Sequence, residues 1–86
     1  MEQISRVASR ELGSRGITVN VVSPGPVDTE LLRHGASPES IAGAAAMTAL
    51  GRIGRPPDIA DLVALLARSE GRWIAGQNLR ADGGLI

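Results

Sequence analysis

Cysteine, tyrosine and phenylalanine are absent from the 86 residues, and Trp73 is the single aromatic. Without cysteine, neither a disulfide nor a thiolate metal site can be built. Without tyrosine, no mechanism that draws its proton from a phenol can run on these residues alone. An excess of one charge is missing too. Nine basic and nine acidic residues cancel to a formal net charge of zero, so electrostatics gives no reason to expect nucleic acid or an anionic membrane as partner. No apolar run approaches the roughly 20 residues that cross a bilayer, and the polar start of the chain holds no signal-peptide core. The lack of cysteine fits a cytoplasmic protein. A chain this short makes one small domain that buries only about 60–65% of its unfolded surface. With no staple available, oligomerisation or further chain is expected to support it.

What is present reads as alternating helices and strands. Residues 2–12 are amphipathic, with Ile4, Val7, Ala8 and Leu12 near one face. No capping residue precedes them; the helix is expected to begin at Met1, as one continuing from an earlier segment would. Gly13 or Gly16 can end it. Residues 17–23 are rich in β-branched types and bounded by Gly16 and Pro24-Gly25, which predicts a buried parallel strand. Pro24 is expected to stop its ladder.

A short helical turn is expected around 29–33. Ser37-Pro38-Glu39 then starts a helix with a hydroxyl cap, a proline at the first position and an acid in the first turn. The Ala-rich run 40–50 continues it, and Gly51 closes it. Pro56-Pro57-Asp58 opens another helix to about residue 68, with Ile59, Leu62, Val63 and Leu66 on one face. Residues 77–81 read as a second strand, closed by Asp82-Gly83-Gly84. The order is α-β-α-α-β, with about 50 residues between the strands, enough for a helical crossover between parallel neighbours. That is part of a doubly wound sheet, incomplete as it stands.

Three segments carry a resemblance. They are Glu11-Leu12-Gly13-Ser14-Arg15-Gly16-Ile17-Thr18-Val19-Asn20-Val21-Val22-Ser23-Pro24-Gly25-Pro26-Val27-Asp28-Thr29, then Gly51-Arg52-Ile53-Gly54-Arg55-Pro56-Pro57-Asp58-Ile59-Ala60, and Trp73-Ile74-Ala75-Gly76-Gln77 followed by Asp82-Gly83-Gly84. In order and spacing they resemble the C-terminal part of the short-chain dehydrogenase/reductase family, of the 3-oxoacyl-acyl-carrier-protein reductase-like type. The resemblance covers essentially the whole chain. It implies a Rossmann-like fold and one partial domain over 1–86, with a substrate lid at about 28–50. It implies hydride transfer between NAD or NADP and a carbonyl or alcohol substrate, in a homo-oligomer. The family's glycine-rich phosphate loop, catalytic serine and Tyr-x-x-x-Lys motif have no counterpart in these residues, and Ala75 stands where the family often has threonine. The catalytic and phosphate-binding N-terminal part is therefore expected to be lacking and the chain alone inactive.

The candidate cofactor site is Pro24, Gly25, Val27 and Thr29. It follows the C-terminal end of a strand, where open α/β sheets bind ligands, and Gly25 would let a flat ring lie against the backbone. The resemblance implies that the backbone at Val27 bonds the nicotinamide carboxamide and that Thr29 supplies a hydroxyl to carboxamide or phosphate. On the residues alone, a plain strand-ending turn with a helix cap at Thr29 is the leading reading; the resemblance reverses the order.

No catalytic residue and no metal site is identified. His34 reads as a solvated loop histidine, and Arg52 and Arg55 as ion-pair or loop charges rather than a phosphate site. Asp58 and Asp61 read as first-turn partners of the helix dipole, and Trp73 as packing beneath the last helix. An assembly role for the final strand and tail is left open. The competing function is a non-catalytic oligomerising or interaction fragment, driven by an exposed sheet edge and unpaired helix faces. The substrate and the choice between NAD and NADP are not legible.

Overall fold

The computed structural model describes residues 2–85, apart from the side chain of Glu2; the expectation at Met1 falls outside them. Helix α1 (Glu2–Leu12) leads through a 3-10 turn at Gly13–Arg15 to strand β1 (Val21–Pro24). Helices α2 (Glu30–Gly35), α3 (Pro38–Ala46) and α4 (Pro56–Ala67) follow, then a 3-10 turn at Ser69–Gly71 and strand β2 (Asn78–Ala81). The predicted order α-β-α-α-β is therefore present, with the short turn expected around 29–33 ordered as α2. The strands pair in parallel, Val21 opposite Asn78 and Pro24 opposite Ala81.

Pro24 lies inside the ladder rather than beyond it. The N–H groups of Val21 and Gly25 donate to carbonyls of Gln77 and Ala81. Alternation therefore turns the nitrogen of Pro24 away from β2, where its missing hydrogen costs no bond. Residues 17–20, expected in the strand, are held otherwise. Gly76 N–H donates to the Val19 carbonyl at 2.8 Å, and the Asn20 amide donates to the Ile74 carbonyl at 3.0 Å. Gly76 sits at φ 70°, a bend that delays β2 until Asn78. The polar strand residues are used: Ser23 Oγ donates to Asn78 Oδ1 at 2.7 Å, and Arg80 pairs with Asp82.

Helix starts follow local chemistry. Ser37 caps α3 by accepting from Ser40 N–H at 3.1 Å. α3 stops at Ala46, short of the expected residue 50, because residues 48–50 are recruited elsewhere. Thr48 bridges Leu85 in antiparallel fashion, and the N–H groups of Ala49 and Leu50 donate to the carbonyls of Gly84 and Gly83. The Thr48 hydroxyl, in a residue only 6% exposed, links the Ala45 carbonyl to both backbone groups of Arg52.

No hydrophobic residue among those described is fully buried. The accessible surface is 6348 Å², against about 4,800 Å² for a compact monomer of this mass. Only part of the stripe on α1 is turned inward: Ala8 and Leu12 are half-buried, but Ile4 is 72% and Val7 56% exposed, while Ser5 is buried. Ser9 is the α1 residue that lies against Gly76. On α4, Ile59, Leu62 and Leu66 are half-buried and Val63 is exposed. Trp73 is 96% exposed and packs beneath no helix among the described residues. The packing beneath the last helix expected for Trp73 is not made; its ring lies in solvent. No helix among the described residues is long and apolar enough to cross a membrane.

Candidate functional site

The run after β1 forms a short wall. Gly25 leaves the strand with its N–H still on Ala81. A Cβ on Gly25 would lie 2.7 Å from the Asp82 Cβ. Asp82 therefore occupies the space that the missing side chain leaves, so the protein's own packing calls for glycine at this position.

Beyond Gly25 the wall is pinned to the loop before α4. Val27 and Gly54 form a parallel bridge in which Gly54 N–H donates to the Pro26 carbonyl and Asp28 N–H to the Gly54 carbonyl, both at 2.8 Å. In such a bridge the middle residue of the three turns its own amide groups the other way. Val27's N–H and C=O have no hydrogen-bond partner among the described residues. Thr29 caps α2 by accepting from Leu32 N–H at 3.2 Å, which leaves its own hydroxyl hydrogen free to donate. The cap reading of Thr29 is thus realised in the geometry. The structure brings Pro24, Gly25, Val27 and Thr29 onto one stretch at the carboxyl end of β1.

Two ion pairs brace this stretch. Arg33 forms a fork on Asp28, Nε and Nη2 each 2.6 Å from a carboxylate oxygen, and these hydrogen bonds hold the Asp28 carboxyl below its ordinary range. Arg52 bonds Asp58 at 2.9 and 3.3 Å. Asp58 also reaches back from the third position of α4 to the N–H of Arg55 at 2.7 Å, as an acid does in a capping box. The Arg52 bonds, aided by that N–H, hold its carboxyl down to about 2. So Arg52 is an ion-pair residue, and Asp58 is a specific cap where only a dipole partner was foreseen. His34 is exposed in the last turn of α2. No group of metal-ligating residues occurs among those described.

A largely apolar, open groove lies beside α3, lined by Ile41, Ala42, Ala45 and Ile53 together with Asp28 and Arg33. A smaller cleft of about 230 Å³ lies between Pro26, Gly54 and the Asp82–Gly84 turn, below the 300–1,000 Å³ typical of small-molecule sites. The role of the Asp82 turn in shaping this region was not foreseen; its only sequence signal was the pair of glycines.

A family model described as Enoyl-(Acyl carrier protein) reductase matches residues 1–86. The chain is 42% identical over 86 residues to NADPH-dependent aldehyde reductase 2, chloroplastic, of Arabidopsis thaliana, a match that covers 100% of this chain and 32% of that protein. It is 43% identical over 81 residues to the 3-oxoacyl-[acyl-carrier-protein] reductase FabG of Escherichia coli K12, covering 94% of this chain and 33% of that one. Among solved structures it resembles a 3-oxoacyl-[acyl-carrier protein] reductase from Brucella melitensis, with a TM-score of 0.91 at 31% identity over 98% of this chain and 31% of that one. It also resembles the angucycline C-6 ketoreductase LanV with bound NADP, with a TM-score of 0.84 at 42% identity over 96% of this chain and 32% of that one. The chain spans about a third of the length of the curated relatives it matches.

Proposed function

The chain belongs to the short-chain dehydrogenase/reductase family, and from that premise we propose that it forms the nicotinamide-side wall and the substrate lid of an NADP(H)-dependent reductase acting on a carbonyl or alcohol. Pro24, Gly25, Val27 and Thr29 are the cofactor contacts in this reading. The observation that carries it is the outward-turned, unpartnered amide pair of Val27 at the carboxyl end of β1, matched in kind to a carboxamide that both donates and accepts. Thr29 adds a hydroxyl donor within the same stretch. The cofactor supplies the hydride; these residues bind and orient its ring. NADP(H) is preferred over NAD(H) because a relative is named NADPH-dependent and a structural neighbour carries NADP. The groove under the lid suits the apolar part of a small carbonyl substrate. A cytoplasmic setting is part of the same reading, to be checked by fractionation, since an Arabidopsis relative is named chloroplastic.

The test is an amide-shift titration of the 86-residue chain with NADPH. Shifts centred on Val27 and Thr29, lost in Thr29→Ala and with no response in 56–67, are expected; no perturbation in 24–29 overturns the assignment. No turnover is expected from these residues alone, since they include no tyrosine.

A second reading is a non-catalytic module that associates through its uncovered faces. The outward Ile4 and Val7 of α1 favour it, together with an accessible surface well above that of a compact monomer. Sedimentation decides: a monomer at high concentration counts against self-association.

A further inference from the structure

Wall and lid meet at one tight turn. Asp82 closes it, its Oδ1 accepting Gly84 N–H at 3.0 Å and lying 3.4 Å from the N–H of Leu85. Gly83 and Gly84 follow at φ 64° and 76°. On one side of the turn, Asp82 sits against the bare face of Gly25. On the other, the carbonyls of Gly84 and Gly83 accept the N–H groups of Ala49 and Leu50, both at 3.1 Å. Gly84 is pressed so closely that a Cβ there would fall 2.7 Å from the Ala49 Cβ. Neither α2 nor α3 packs substantially on α1, α4 or the sheet. The lid's placement therefore depends on its two bases, residues 26–28 against Gly54 and residues 48–50 against 83–85.

We infer that the Asp82-Gly83-Gly84 turn positions the lid's base and the 24–29 wall together, with Asp82 and Gly84 as the positioning residues. What the two segments bind rests on the function proposed above; the link between them rests on these contacts alone. A displacement of Asp82 reaches Gly25 through direct contact and Ala49 through the turn it closes, so the two segments share one support.

Amide hydrogen exchange on the 86-residue chain tests this. Asp82→Ala and Gly84→Ala are each expected to speed exchange at residues 44–50 and at the Gly25 amide at least about fivefold, with the Val21 and Ser23 amides changed less than about twofold. Asp82→Asn keeps the Oδ1 acceptor and should exchange like the wild type. Ala49→Gly, by removing the Cβ that Gly84→Ala would meet, should partly restore the Gly84→Ala variant. Lid amides unmoved in both single variants, or a Gly25 amide unmoved in both, overturn the inference, as does strand exchange that accelerates as much as the lid's. NADPH added to the wild type bears on the proposed function alone: silence at Val27 and Thr29 would sink that reading while the variants still decide this one.

Discussion

Asn20 holds Gln77 in place at the amino end of the sheet: its Oδ1 accepts the Gln77 N–H at 3.0 Å while its amide donates to the Ile74 carbonyl at 3.0 Å. One side chain thereby straddles the bend that leads into β2 and sets where that strand begins. Asn20→Ala removes both bonds and is expected to cost about 1–2 kcal/mol, read as a lower urea midpoint. Asn20→Asp keeps the acceptor for Gln77 and should lose only part of that.

Gly25→Ala forces a Cβ to within 2.7 Å of the Asp82 Cβ. The neighbour is backbone-borne and cannot swing away, so the carboxyl ends of β1 and β2 must part. A loss of about 1–3 kcal/mol is expected, with faster amide exchange at Gly25 itself. A stability equal to wild type would show that Asp82 is not seated there.

Asp58 makes stability pH-dependent in a defined direction. Its carboxyl is held at about 2 in the fold against an ordinary 3.8 by the Arg52 bonds and the Arg55 N–H. The stabilisation is fully present above the ordinary value and is lost as pH falls through about 2. Asp58→Asn should flatten the thermal midpoint across this acid window relative to wild type. An identical slope in the two proteins would remove Asp58 from that role.

Trp73, at 96% exposure, contributes little to the stability of this chain. Trp73→Ala is expected to shift unfolding by no more than about 0.5 kcal/mol. The wild-type emission should match that of a water-exposed indole before and after denaturation; a marked red shift on unfolding would contradict the exposed placement.

The sequence was most informative where a short range of chain decides the outcome. Ser37-Pro38-Glu39 starts α3 because hydroxyl, ring and carboxylate act on amides within one turn. Pro56-Pro57-Asp58 starts α4 in the same way, though nothing local indicated that Asp58 would also take Arg52. The run Pro24–Thr29 was legible as a strand end, whereas the Val27–Gly54 bridge that turns the Val27 amides outward joins residues far apart in sequence.

By itself, then, the sequence determined the element order, the helix starts and the family, since caps, turn residues and motif spacing are local or linear properties. Tertiary structure decided which face of α1 turns inward, at Ser5 and Ser9 rather than Ile4 and Val7. It also decided that Trp73 points outward, that α3 ends at Ala46, and that Asp82 fills the space beside Gly25. The reason is the same in each case. Hydrophobic periodicity says that a face wants cover and a glycine says that something comes close, but only the folded chain supplies the neighbour.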